Sequence, residues 1–193
     1  MTLIGIASGG ILETSVLPYH IMRLRLSYEN LHVELAVSDS AQRFATLTAL
    51  QGMTGRPVYH RGSPFDPRTN APFYMSFQIV SRLILYPATP RIIAQCATGV
   101  VEDPVTECFA FIPKHKVIVT PYLHPDLDAQ LYEGHIDNLR NLGCTVVLPA
   151  QGLAWTSDSA WVKTEGALRD TLRLTRSTEV PTLFRASQGP TLL

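Results

Sequence analysis

The sequence has no surplus of either charge: 16 Lys and Arg are set against 16 Asp and Glu over 193 residues. A duplex-binding protein depends on a basic excess that neutralises phosphates, so this balance argues against a nucleic-acid partner. Long apolar runs are also missing, and none approaches the roughly 20 residues that span a bilayer. The start, MTLIGIASGG, lacks the basic flank and the length of a secretory signal. Together these absences predict a cytoplasmic protein without membrane contact. Cysteine is scarce: Cys96, Cys108 and Cys144 are odd in number and lie far apart among apolar residues. That pattern predicts reduced core thiols rather than a disulfide frame or a metal site. There is no internal repeat, and with 46% hydrophobic residues the chain can bury one core, so a single domain over 1–176 is expected.

What is present is an alternation of short apolar, β-branched runs with amphipathic stretches. Thr2 to Ala7 reads as a strand that enters the turn Ser8-Gly9-Gly10, followed by a helix pattern from Leu17 to Leu26. His32 to Ser38 is a second strand, with Asp39 and Ser40 as capping types before a helix pattern from Ala41 to Leu50. From Gly52 to Pro72 the pattern dissolves into a long loop containing one short strand at Pro57 to His60. Leu83 to Tyr86 and Val117 to Val119 read as buried strands, with helices from about Arg91 to Ala97 and around Val105 to Phe111. Ala129 to Leu142 is amphipathic, Gly143 stands where a helix C-cap glycine belongs, and Cys144 to Pro149 is the next strand. A flap near 151–162, a last helix from Lys163 to Leu174 and a mobile tail over 177–193 complete the reading. This rhythm predicts an α/β fold: a three-layer, Rossmann-like (flavodoxin-like) parallel sheet with helices on both faces.

In such sheets ligands bind beyond the carboxyl ends of strands, where loops and helix N-termini offer backbone N–H groups. Three loops qualify: Ser8-Gly9-Gly10, the turn carrying Ser38 and Ser40, and Pro87-Ala88-Thr89. Each alone reads equally as an ordinary turn or cap, and the glycines are not the six-position dinucleotide fingerprint. Their placement after three strands of one sheet is what predicts a mononucleotide site.

The stretches YPATPRIIAQCATGVVEDPVT (Tyr86 to Thr106), KVIVTPYLH and GHIDNLRNLGCTVVLPAQG carry a resemblance. They resemble the homo-oligomeric flavin-containing cysteine decarboxylases, and most of all the peptidyl-cysteine decarboxylases of lanthipeptide and linaridin biosynthesis. The resemblance runs from about Thr2 to Gly152. It implies FMN held by Ser8, Gly9, Gly10, Ser38, Ser40, Pro87, Ala88 and Thr89. It also implies trimers assembled into a dodecamer, and a precursor peptide with a C-terminal Cys as partner. The implied reaction oxidises the cysteine side chain to a thioaldehyde, after which the carboxylate leaves and an enethiol remains for aminovinyl-cysteine formation.

The departures from that family pattern are specific. Counting back from Pro87, the family's catalytic histidine falls on Phe73, which cannot take a proton. His124 stands where the family has an asparagine, and Glu102-Asp103-Pro104 replaces an Asp-Asn-Leu run. The pantothenate-pathway relatives carry a flap cysteine, whereas this chain has Ala154-Trp155-Thr156. An enzyme that stops at the enethiol is therefore expected.

A thiol of pKa about 8.5 needs a base or an electropositive setting before its sulfur is readily oxidised. His124 is the first candidate for the missing role and His60 the second, each also readable as a loop histidine. Trp155, Ser157, Ser159 and Phe73 are candidate substrate contacts, with Trp155 and Trp161 closing a flap or packing against a neighbouring subunit. Two readings from different classes stand at this point: an FMN-dependent peptidyl-cysteine decarboxylase, or a non-catalytic flavin-fold scaffold or regulatory subunit. Phosphopantothenoylcysteine decarboxylase and flavin prenyltransferase rank behind both.

Overall fold

The computed structural model describes residues 1–149 and 159–177. Its centre is a six-stranded sheet of β1 (Thr2–Ser8), β2 (Leu31–Val37), β3 (Val58–Tyr59), β4 (Leu83–Ala88), β5 (Val117–Pro121) and β6 (Thr145–Val146). The spatial order is β3-β2-β1-β4-β5-β6 and every pair is parallel. Both faces of such a sheet must be covered, which is why β1 and β4 read as near-continuous apolar runs. Strand order reverses between β1 and β4, and the two chains leaving that point part to opposite sides and open a crevice.

Alternate strand residues feed two cores. Ile4, Ile6, Val33, Leu35, Ile84 and Tyr86 pack under α1 (Leu17–Ser27), α2 (Leu47–Thr54) and the C-terminal helix. On the other face Ala7, Ala36, Leu85 and Val119 meet the rest of the helices, including the single turn α3 (Met75–Gln78), whose Phe77 is buried in the same core. The others are α4 (Pro90–Thr98), α5 (Pro104–Ala110) and α6 (Gln130–Asn141). The expected three-layer α/β sandwich is the fold observed.

Several boundaries move for local reasons. Ser38 Oγ accepts the Ala41 amide 3.3 Å away and supports one 3-10 turn, Ala41–Arg43. The helix proper waits for Thr46, whose side chain caps the Ala49 amide, so the expected helix from Ala41 to Leu50 becomes a turn followed by α2. The strand expected over Cys144 to Pro149 pairs with β5 only at Thr145 and Val146. The last helix, α7 (Ser159–Leu172), begins four residues before the expected Lys163 and so takes in part of the expected flap.

The long loop after β3 is anchored electrostatically. Glu34 of β2 is 2% exposed and accepts from Arg56 at 2.6 Å and from Arg68 at 2.9 Å. Arg68 also donates to Asp66, which accepts the Ser76 hydroxyl at 2.7 Å. A buried carboxylate needs such partners to stay charged, and here they tie the residue leading into β3 and the middle of the loop after it to β2.

Candidate functional site

The three predicted loops converge at the crevice. Ser38 N–H donates to Ser8 O at 3.1 Å, and Gly9 N–H donates to Pro87 O at 3.2 Å, so each turn is bonded to its neighbour. The glycines are required for this closeness. A Cβ on Gly10 would lie 2.2 Å from the Ser40 carbonyl carbon, and one on Gly9 would lie 2.7 Å from Thr89 Cγ2. Their missing side chains thus admit adjacent loops.

Within the cradle the residues divide by exposure. Ser8 is fully buried and donates its hydroxyl to Gly9 O at 3.1 Å, and Ala88 is 1% exposed. With Gly9 and Pro87 they form the floor. Gly10, Ser40 and Thr89 form the rim, and Ser38 Oγ lies 3.0 Å from Ser40 Oγ at its edge.

Beside this rim Ser38, Asp39, Ser40, Arg43, Arg61, Arg91 and Asp103 line a cleft of about 280 Å³. Arg61 donates to Asp39 at 2.8 Å and to Glu102 O at 2.9 Å, and Arg91 donates to the Glu102 carboxylate at 2.8 Å. Arg43 makes no ion pair among the described residues. Three guanidinium groups and two serine hydroxyls at the mouth of a parallel sheet are a donor set suited to a phosphate. The arginines were not singled out in the sequence, because they come from a turn, a loop and a helix start far apart in the chain.

A second cluster was also missed. Glu13, three residues beyond Gly10, accepts from Tyr86 OH at 2.7 Å and from Tyr122 OH at 3.2 Å. His20 Nε2 lies 3.8 Å from the same carboxylate. The His20 ring stacks on Trp161 at 4.5 Å with 9° between planes, and Trp161 meets Tyr86 edge-on at 4.9 Å. The neighbouring imidazole holds the Glu13 carboxyl below its ordinary value against the opposing pull of burial, and the two phenols act in the same direction. Trp161 is 3% exposed, so its expected place in a flap is corrected: it is a core residue of α7. Ser159 opens the same helix and is exposed. Trp155 and Ser157 lie outside the described residues.

Phe73 is fully buried and stacks on Tyr59 at 5.0 Å, while Tyr59 donates to Glu107. As a substrate contact it is therefore corrected: its ring fills the core under β3. His124 follows β5 on a loop, with its side chain 69% exposed and Nδ1 accepting the Asp126 amide at 3.2 Å. His60 ends β3, three strands from β4, and its Nδ1 accepts the Gly62 amide at 3.1 Å. Neither joins the Glu13 cluster. All three cysteines are buried, and burial raises each thiol, that of Cys144 to about 11. Among the described residues no three His, Cys, Asp or Glu side chains gather as a metal site, and no helix is long and apolar enough to cross a membrane.

A parallel sheet whose switch point is bordered by hydroxyls, glycine turns and guanidinium groups defines a nucleotide-type binding protein of the doubly wound α/β class. The chain belongs to the family named Flavoprotein, which it matches over residues 4–174. Among solved structures it is similar to the FMN-dependent cysteine decarboxylase TvaF of thioviridamide biosynthesis, with 21% identity, 89% of this chain and 98% of that one covered, and a TM-score of 0.69. It is also similar to a PPC decarboxylase mutant, at 16% identity with 89% and 99% covered and a TM-score of 0.72. The cypemycin decarboxylase CypD matches at 16% identity, with 88% and 95% covered and a TM-score of 0.67. At these identities the likeness establishes the fold. No curated protein matches the chain.

Proposed function

We propose that this chain is an FMN-dependent decarboxylase acting on the C-terminal cysteine of a ribosomally made precursor peptide, giving an enethiol for aminovinyl-cysteine formation. The observation that carries the reading is the convergence of three strand-end turns beside an arginine cleft at the switch point. The residues fit the cofactor: Arg43, Arg61, Arg91, Ser38 and Ser40 would hold its phosphate, while Gly10 and Thr89 border the space beyond. When bound, FMN supplies a two-electron acceptor. The chain's task is to orient the peptide terminus, hold its carboxylate and take the thiol proton. His124 is assigned to the carboxylate, since it stands exposed two residues beyond Tyr122 at the same sheet edge. No thiol reaches the surface of the described residues, and the sequence has no fourth cysteine. The product therefore stays an enethiol, which favours a peptidyl substrate over the phosphopantothenoylcysteine reaction. Similarity to TvaF and CypD, named as cysteine and cypemycin decarboxylases, points the same way.

The test is to purify the chain, record flavin absorption and mix it with peptides ending in Cys. A mass loss equal to CO2 plus two hydrogens is expected; flavin-loaded protein inert toward all Cys-ending peptides would remove the reading. His124→Ala is expected to raise KM for the peptide and leave flavin binding intact, and an unchanged KM would remove His124 from the site. The burial of Phe73, where the family's histidine is expected, is the observation that favours the scaffold reading. Bound FMN that no thiol reduces would decide for it. We also propose homo-oligomers built on trimers, up to a dodecamer, which sedimentation would measure.

A further inference from the structure

Among the described residues His20 Nε2 is buried without a hydrogen-bond partner, and so is Trp161 Nε1 on the ring stacked against it. Buried polar atoms are nearly always satisfied, and each exception calls for an explanation. Among the described residues three side-chain atoms are such exceptions, the third being Gln95 Oε1 on α4; the two on His20 and Trp161 are adjacent, and they stand behind the Glu13 carboxylate. Glu13 is the more open member, its side chain 15% exposed against 7% for His20. Its backbone is fixed to the cradle, because Thr14 Oγ1 donates to Gly9 O at 2.7 Å. Both its oxygens are occupied by phenols that arrive from the carboxyl ends of β4 and β5. The carboxylate thus cannot swing away, and the imidazole nitrogen nearest to it has nothing else to bond among the described residues.

We propose that Glu13 and His20 form the proton-accepting dyad of this site, with Glu13 facing the substrate and His20 behind it as the holder of the proton. The proposal rests on the decarboxylase reading and assigns the group that replaces the base absent at Phe73. The step is one proton transfer. The S–H bond of the peptide cysteine breaks, its electron pair stays on sulfur, and the proton passes by way of a Glu13 oxygen to His20 Nε2. Glu13 ends as the carboxylate it began, now paired with an imidazolium. A histidine is a suitable resting place, since its ordinary pKa is close to neutrality, whereas a carboxylate alone is too weak a base for a thiol. Among the described residues the titratable groups in contact with His20 are Glu13 from the turn after β1, Tyr86 from β4, and on its own helix Tyr19, over which Arg23 sits, while Tyr122 after β5 reaches the same Glu13 carboxylate. Helix α7 contributes Trp161, which does not titrate and keeps the imidazole flat against it.

The experiment uses the full flavin-loaded chain. With the flavin reduced beforehand no oxidation can follow, so NMR of the His20 ring reports binding alone. A peptide ending in Cys is expected to move the His20 resonances toward the protonated form, and one ending in Ser to leave them unmoved. A bound Cys peptide with no change at His20 overturns the dyad. In turnover, Glu13→Gln and His20→Gln are each expected to lower kcat/KM by roughly a hundredfold or more near neutral pH, to abolish the lower-pH inflection of the rate profile, and to leave flavin affinity unchanged. If wild-type protein decarboxylates the peptide and the variants keep its rate and pH profile, the dyad is wrong and the decarboxylase stands. If wild-type protein is inert, the broader reading fails first.

Discussion

At the scale of single residues, the glycines of this chain sort by what a Cβ would meet. Gly10→Ala drives a methyl group into the Ser40 backbone, 2.2 Å away, and backbone cannot yield as a flexible side chain can. Loss of flavin absorption together with a lowered Tm is the expected outcome; full retention of both would mean that the two turns are not pressed together. Gly134, exposed in the middle of α6, has nothing within 4 Å of its Cβ position. Gly134→Ala is accordingly expected to raise stability by about 0.5–1 kcal/mol in urea unfolding. The same two letters in a sequence would not reveal this difference. The Ser8-Gly9-Gly10 turn was legible because it follows an apolar strand, but the depth of Ser8 and the role of Gly10 depend on partners 30 and more positions away. Glu13, His20 and Trp161 were illegible for the same reason: they come together only when α1 and α7 lie on one face of the sheet.

At the scale of elements, strands with continuous apolar runs were readable, since both their faces are covered. Ends set by one side chain were not. Thr46 rather than Ser40 starts α2, and nothing in local composition ranks one hydroxyl above the other. The loop between β3 and β4 read as irregular, yet its order comes from Glu34, Arg56, Asp66 and Arg68. Arg68→Met would leave the Asp66 carboxylate, itself 1% exposed, with the Ser76 hydroxyl and the amide of residue 68 but no cation. A loss of about 3 kcal/mol is expected by denaturant titration, and a loss within error would show the ion pairs to be dispensable. Arg68 holds the Asp66 carboxyl well below its ordinary value of 3.8. Because the folded pKa is depressed, this stabilisation is complete above the unfolded value and is lost as pH falls from there toward the folded one. Acid unfolding should therefore steepen below about pH 4. Asp66→Asn should flatten that limb, which circular dichroism across pH would record.

At the scale of the molecule, the balance of 16 acidic and 16 basic residues leaves formal neutrality at pH 7. Colloidal repulsion is weakest at such a point, so solubility is expected to pass through a minimum near neutral pH and to recover on either side, as light scattering would follow. Topology was the most legible property, since regular alternation of strand and helix leaves few other arrangements. The arginine cleft was the least legible, being assembled from a turn, a loop and a helix start. One detail of that cleft reaches furthest. Asp103 caps α5 in a reciprocal box with Thr106, and the residue before it, Glu102, steadies Arg61 through its carbonyl and Arg91 through its carboxylate. One helix start therefore sets two of the three cationic arms. Anything anionic that grips those arms draws on the same cooperative unit that melts when α5 frays, so occupancy and heat resistance become a single thermodynamic quantity. A culture starved of the ligand would then contain a protein that is more perishable as well as idle.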